Sequence, residues 1–232
     1  DFAALKPSRY AREVPLTNPA VKQSVLDLSM FAQIDFEPFK NVTAMAGLRY
    51  DATIFFRQGD PNAVTESKLG IKTNNSMADF NNIQPRFQFT WDRDGLQRDI
   101  IKFGGGIFSA QPVSYLQLNN IQNSGSMVGS IDVSGASVPT PDFVSYRANP
   151  TTTPGIPQGA SYISTINAVS NDFQVPTVYK LNLSYNRFFN ERFRAGANFL
   201  WSKTVNNYAY YDRNIVDSPY FTLSNEADRG VF

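Results

Sequence analysis

Apolar and polar residues alternate in six separate segments of the chain. In the first segment, apolar residues recur at every second position from Leu26 to Phe36, and mostly polar residues lie between them. A period of two places successive side chains on opposite faces of a β-strand. The pattern therefore predicts six strands, at about residues 25–37, 42–57, 83–92, 99–109, 175–187 and 192–204.

The connections between these segments alternate in length. Short turns join the members of each pair, at Pro38–Asn41, at Arg93–Gly95 and near Phe189–Glu191. Long loops cover residues 58–82 and 110–173, and we expect residues 205–232 to belong to another. Outer-membrane barrels have short turns on the periplasmic side and long loops outside. The order of loop lengths therefore favours an antiparallel transmembrane β-barrel segment.

The content of the two faces agrees with a membrane setting. Aromatic residues that suit interfacial girdles lie toward the strand ends of the apolar face: Tyr50, Trp91, Tyr179, Tyr185 and Trp201. Basic residues fall on the opposite face: Arg49, Arg86, Lys102, Lys180 and Arg194. An Arg or Lys on the lipid face at the bilayer midplane costs about 2–4 kcal/mol, so this separation is expected of a barrel wall.

Six strands are too few to close a membrane barrel, because the smallest have about eight. An open edge in lipid leaves backbone groups without partners. The all-β chain, residues 1–232, is therefore predicted to be a partial transmembrane barrel domain. Because it begins with Asp and lacks a signal peptide, we expect it to be an internal part of a longer protein, with the stretches before Gln23 and after Val205 in external loops.

Composition narrows the function further. The net charge is +1 and only 18% of residues are charged, which disfavours a nucleic-acid partner because phosphates require a basic surface. The sequence contains no Cys and no His, so thiolate nucleophiles, Ser-His-Asp triads and the usual zinc sites are excluded within this stretch. We expect neither an enzyme nor a bound cofactor.

Three motifs are better explained by structure than by chemistry. Gly104–Gly106 lacks the Lys-Ser/Thr and helix of a phosphate loop, and indicates a curved strand. Asp92–Gly95 lacks the later ligands of a calcium loop, and indicates a tight turn. Two carboxylate pairs are interpreted as solvated groups rather than an acid and a base: Asp35 with Glu37, and Asp212 with Asp217.

Two sets of side chains are candidates for contact with a ligand or partner. Exposed tyrosines offer rigid, amphipathic area, and the loop tip contains Tyr208, Tyr210 and Tyr211. The basic residues Arg49, Arg86, Lys102 and Arg194 are predicted to line the lumen or to face a plug. The loop 110–173 is rich in Ser, Thr, Gly, Asn and Pro, and we expect it to be flexible and without regular elements.

Several strands resemble those of TonB-dependent receptors. The first hairpin carries Phe31–Pro38, Asn41–Thr43 and Gly47–Asp51, similar to that family's aromatic-Gln-Asp strand and Gly-Leu-Arg-aromatic-Asp ending. The later strands carry further similar motifs: Asn82–Phe87, Phe89–Asp92, Phe103–Phe108 and Asp172–Tyr179 followed by Leu181–Leu183. The last of these most resembles the Oar-like branch, and the likeness extends over roughly residues 25–215.

This resemblance implies a barrel of about 22 strands, an N-terminal plug and energy coupling to the TonB complex through a missing N-terminal region. It implies a bacterial outer-membrane receptor that takes up or recognises a ligand, and the expected partners are outer-membrane lipids and a surface lipoprotein or other envelope protein. The residues leave two alternatives open. One is a non-transporting barrel that docks components of a cell-surface assembly, and the other is a soluble β-sandwich binding module.

Overall fold

The computed structural model describes residues 4–157, 160–190, 192–215 and 218–231. Single 3-10 turns lie at Gly135–Ser137, Pro150–Thr152 and Ser224–Glu226. The longer elements, in chain order, are β1 (Arg9–Pro15), β2 (Val25–Phe39), β3 (Val42–Phe55), α1 (Ala63–Leu69), β4 (Asn82–Asp92), β5 (Asp99–Ser109), α2 (Ser114–Gln122), β6 (Val128–Ser134), α3 (Phe143–Ala148), β7 (Thr177–Phe188), β8 (Arg194–Val205), β9 (Phe221–Leu223) and β10 (Arg229–Val231).

The six long strands form one antiparallel meander in the order β2-β3-β4-β5-β7-β8. They contain 11 to 15 residues each, and a tilted strand of about 9–11 residues spans a bilayer. Within the described residues, β2 and β8 each have one neighbour in this sheet. Both outer strands therefore present unpaired backbone groups along one edge.

The strand register carries the predicted alternation across the whole sheet. Phe103 lies opposite both Phe89 and Leu183, and Leu183 in turn lies opposite Phe199. One side of the sheet, the apolar face, is therefore a continuous surface of aliphatic and aromatic residues. The other side, the polar face, carries the intervening polar residues.

The apolar face is not covered by another layer of protein within the described residues. Large side chains on it are well exposed, including Met30 at 57%, Ile34 at 61% and Phe199 at 63%. The accessible surface of the chain is 16510 Å², whereas a compact monomer of this mass exposes roughly 10,500 Å². The sheet is therefore the wall of a larger structure rather than half of a compact sandwich.

The charge distribution on the two faces needs one correction. The five basic residues assigned to the polar face do lie there, but Lys203 lies on the apolar face opposite Tyr179, and Arg187 lies there opposite Asp99 and Ala195. Lys203 is near the loop end of β8, and Arg187 is near the turn end of β7. Long basic side chains at strand ends can extend to the membrane interface, so neither sits at midplane depth.

The turns that join paired strands are short. Lys40 and Asn41 connect β2 to β3 after a register shift between Phe36 and Phe39, and Asn41 has a φ of 62°. The second turn, residues 93–98, contains Gly95 with a φ of 70°. Such left-handed backbone favours Asn and Gly. Glu191 of the third turn lies outside the described residues.

The long loops at the other end of the strands fold into a cap of regular elements. The expectation that prolines keep residues 110–173 free of regular structure was wrong, since this loop contains α2, β6 and α3. β6 pairs along its length with β1 from the start of the chain. The prolines of this loop, such as Pro139, lie between these elements rather than within them. Pro150 is the first residue of a 3-10 turn.

Candidate functional site

The cap has a small buried core beside the ends of the long strands. Phe55, at the end of β3, packs with Met77 and Val169, and Leu116 and Phe173 pack around them. The side chain of Gln117 on α2 is fully buried in this region. Its Oε1 accepts a hydrogen bond from the backbone N–H of Met77, and its Nε2 donates to the carbonyl of Arg57.

Asp79 connects two loops beside that core. Its carboxylate accepts hydrogen bonds from the backbone N–H groups of Val175, at 2.8 Å, and Asn81, at 3.2 Å. The first of these bonds ties the 56–81 loop to the segment that leads into β7. Buried Asp79 is therefore an anchor that fixes the loops over the sheet.

An open groove of about 440 Å³ lies between the same two segments. It is lined by residues of both: Ala78, Asp79, Phe80, Asn81, Asp172, Phe173 and Gln174. A second recess, of about 200 Å³, shares Asp79, Asn81 and Gln174 with the groove and reaches Ile107 and Tyr179 on the sheet. The two share polar side chains, and aromatic and aliphatic residues complete both linings.

The three candidate tyrosines are placed in different surroundings. The ring of Tyr208 stacks on Phe173, with centroids 6.1 Å apart and planes 17° apart, and burial raises the pKa of its hydroxyl. Tyr210 and Tyr211 are 79% and 82% exposed. Tyr208 thus packs into the cap core, and only the other two offer a free aromatic surface, together with Tyr220 at 86% exposed.

Arg49, one of the predicted lumen residues, belongs to a network on the polar face. It donates to Asp51 through Nε and to the hydroxyl of Ser29 through Nη2. Asp51 also accepts from Ser29 and from Gln84, whose Oε1 accepts the backbone N–H of Ser109. The network links β2 to β5 at their loop ends. Gln84 was not singled out from the sequence, because nothing in a strand pattern marks a buried amide.

Arg86 lies on the same face with a different environment. Its guanidinium carbon is 5.8 Å from the centroid of the Phe108 ring, and Nζ of Lys180 is 5.4 Å from the same centroid. Both residues are register neighbours of Gly106, from opposite sides. Lys180 was assigned to the polar face but not to the site. The signal that could have added Lys180 is that Arg86 and Lys180 are two cations of the polar face, on the strands at either side of Gly106–Phe108.

The last two predicted lumen residues lie closer to the turns. Lys102 is exposed on the polar face between Thr90 and Ser184. The guanidinium of Arg194 stands 5.6 Å from the centroid of the Phe188 ring at the turn end of β7. The structure brings Arg86 close to Lys180, while Arg49, Lys102 and Arg194 occupy separate positions on the face.

The motifs set aside in the sequence have structural roles. Gly105 faces Leu181 so closely that an added Cβ would stand 2.6 Å from its Cδ2. Asp92 accepts the backbone N–H groups of Gly95 and Gln97 within the turn. Asp217 lies outside the described residues. Among the residues that the structure describes, no group of three or more His, Cys, Asp or Glu is arranged to hold a metal ion.

The helices of the described ranges are short, and none is long and apolar enough to cross a membrane. A family model described as an outer membrane beta barrel domain matches residues 1–230. Neither the curated proteins nor the solved structures contain a match to the chain. The match covers nearly the whole chain, including both the meander and the cap. The chain belongs to the family of outer membrane β-barrel domains.

Proposed function

We propose that this chain forms part of the wall of a TonB-dependent receptor of the Oar-like branch, which takes up or recognises a ligand at the bacterial cell surface. The barrel passes through the outer membrane with its apolar face against lipid and its polar face toward the lumen, as in other barrels of this class. The cap lies outside the cell.

One observation carries this proposal beyond the general barrel assignment. Two of the strand segments that resemble the receptor family, Gly47–Asp51 and Asn82–Phe87, meet in one network, in which Asp51 of β3 accepts hydrogen bonds from Arg49 and from Gln84 of β4. Gly47, Arg49 and Asp51 pair in register with Arg86, Gln84 and Asn82, respectively. The motifs are thus parts of one interstrand arrangement rather than unrelated short likenesses.

The proposed role is recognition and passage rather than catalysis. It requires more strands beside β2 and β8, because six strands do not close a membrane barrel. It also requires a plug and a segment that contacts the TonB complex elsewhere in the protein. Nucleic acid is not among the proposed partners.

The exposed aromatics favour a second candidate function. Tyr210, Tyr211 and Tyr220 are nearly fully exposed on the 205–232 segment, where they suit contact with a surface lipoprotein or other envelope protein. In this alternative the barrel does not transport, and its cap docks components of a cell-surface assembly.

The experiment that separates the two is mass spectrometry of the intact polypeptide from purified outer membranes, combined with cysteine crosslinking to TonB. The receptor proposal predicts a polypeptide several times larger than the 25.9 kDa of this chain, with plug peptides and a TonB crosslink. A large polypeptide with neither plug nor crosslink would favour the docking barrel. A mass near 25.9 kDa would contradict both.

A further inference from the structure

Opposite charges occupy different halves of the polar face. The β2–β3 half carries three acidic residues and one basic one in register: Asp27, Asp35, Asp51 and Arg49. The half formed by β4, β5, β7 and β8 carries four basic residues and one acidic one: Arg86, Lys102, Lys180, Arg194 and Asp92. The face therefore has an acidic side and a basic side.

The acidic side is satisfied by its own neighbours. Asp27 accepts a hydrogen bond from Thr53, Asp35 from Gln33, and Asp51 from three side chains including its ion-pair partner Arg49. These carboxylates hold the β2–β3 hairpin and its neighbour together. Each of these carboxylates has a hydrogen-bond donor within the sheet, and Asp51 also has a cation beside it.

The basic side is arranged differently. No carboxylate in the described part of the chain forms an ion pair with Arg86, Lys102 or Lys180. Arg86 and Lys180 are instead held beside the ring of Phe108, which attracts cations through its face but does not neutralise them. Two positive charges are thus gathered at one place without an anion.

Glycines lie beside Arg86 on both neighbouring strands. Gly106 lies between Arg86 and Lys180 in the register, and Gly47 lies on the other side of Arg86. A Cβ added at either position would stand 3.1 Å from an Arg86 side-chain carbon. The absence of side chains at both positions makes room for the stem of Arg86 on the polar face.

We propose that Arg86 and Lys180, with Phe108 between them, form a binding site for an anionic group of a solute that passes through the lumen. The group is a phosphate or a carboxylate, which a guanidinium can bind through two parallel hydrogen bonds while an ammonium supplies a second charge. This inference rests on the proposed transport function and names its substrate class.

Lys102 extends the site into a track. It lies four residues from Gly106 along β5 and on the same face, which corresponds to about 13 Å. An anionic solute that leaves Arg86 and Lys180 meets a third cation, Lys102, farther toward the periplasmic turns. A solute would contact both positions at once only if its anionic groups were about 13 Å apart.

The test uses the full-length receptor in detergent micelles, with inorganic phosphate and citrate as probes, measured by isothermal titration calorimetry. The double variant Arg86→Gln with Lys180→Gln is compared with the control Lys203→Gln, which removes a charge from the apolar face. We expect the double variant to bind at least one probe tenfold or more weakly, and the control to bind as the wild type does. Added NaCl should weaken wild-type binding.

A charge-conserving variant, Arg86→Lys with Lys180→Arg, keeps the test valid if the double variant folds poorly, and it should retain most of the binding. The inference is overturned if the wild type binds neither probe, or if the double variant binds both as well as the wild type. If the double variant instead lowers only the thermal unfolding temperature, the two cations serve the fold rather than a solute, which also overturns it. The TonB crosslink, measured separately on the same variants, reports on the transport proposal independently.

Discussion

Replacing Leu183 by arginine puts a charge in the middle of the apolar face. Leu183 is near the centre of β7, and its neighbours across the sheet are Phe103 and Phe199. The adjacent residue, Asn182, provides the matched control, because it lies at almost the same depth but on the polar face, between Gly104 and Leu200. Leu183→Arg and Asn182→Arg therefore introduce the same side chain on opposite sides of one strand.

The magnitude depends on what covers the apolar face. Leu183 is 46% exposed, and an arginine at such a site in water changes stability by about 0.5 kcal/mol or less. Against lipid at the bilayer midplane, the same substitution costs about 2–4 kcal/mol. That cost lowers the ratio of folded to unfolded protein by roughly 30- to 900-fold.

The assay is reversible guanidinium unfolding of the full-length protein in phospholipid vesicles, with heat-dependent gel mobility as the indicator of the folded barrel. We expect Leu183→Arg to be less stable than the wild type by about 2–4 kcal/mol and Asn182→Arg to remain close to the wild type. Equal stability of the two variants would refute the assignment of the apolar face to lipid. Greater destabilisation by Asn182→Arg would show that the two faces have been assigned the wrong way round.

Three other predictions concern the cap, the sheet and a turn. Gln117→Leu leaves two backbone groups without their partner, at about 1–3 kcal/mol each, so limited proteolysis should cut the cap faster while the barrel stays folded. Gly105→Val should abolish folding in vesicles because a Cβ at this position stands 2.7 Å from the Lys180 carbonyl, whereas Gly155→Val, with nothing within 4 Å, should fold normally. The backbone N–H of Leu96 holds the pKa of Asp94 below its ordinary value. The carboxylate therefore stabilises the turn at neutral pH, and this contribution is lost below about pH 4. Protection of the Leu96 amide from hydrogen exchange should fall below that pH in the wild type and should depend less on pH in Asp94→Asn.

The sheet could be predicted from the sequence, because the alternation of apolar and polar residues is a local pattern. Each long strand alternates over ten or more residues, and the pairing of Leu183 with Phe199 follows once the turn between β7 and β8 is placed. The exceptions, Lys203 and Arg187, lie where the strands leave the membrane. At those positions a charged side chain on the lipid face has only a small free-energy cost, whereas at the midplane the larger cost enforces the alternation.

The cap could not be predicted from the sequence, because its stabilising contacts are polar or join residues that are distant in sequence. Arg9 of β1 forms an ion pair with Asp132 of β6, 123 positions away, and no periodicity in either segment indicates the other. Helix α2 buries Gln117, Asn120 and Ile121, so most of its buried face is polar and does not appear as a hydrophobic stripe. Tyr208 was grouped with its exposed neighbours for the same reason.

The candidate site was predicted in part. The alternation of side chains along the strands placed four cations on one face: Arg49, Arg86, Lys102 and Arg194. Alternation alone cannot distinguish a cation with an acidic partner from one without. The ion pair of Arg49 with Asp51 lies within one strand, whereas the surroundings of Arg86, which is near Phe108 and Lys180, depend on interstrand register. Register is set by turn and bulge geometry, such as the shift between Phe36 and Phe39.

The most direct measurement is site-directed spin labelling along β7 in the full-length protein, reconstituted in lipid vesicles. The chain has no cysteine of its own, so single cysteines at successive positions from Tyr179 to Asn186 add one label each within it. We predict that oxygen dissolved in lipid reaches the labels at odd positions, and that a water-soluble nickel chelate reaches those at even positions, with a period of two. Labels that respond alike at odd and even positions, or that are all reached by the chelate, would contradict a membrane-spanning strand with one face against lipid.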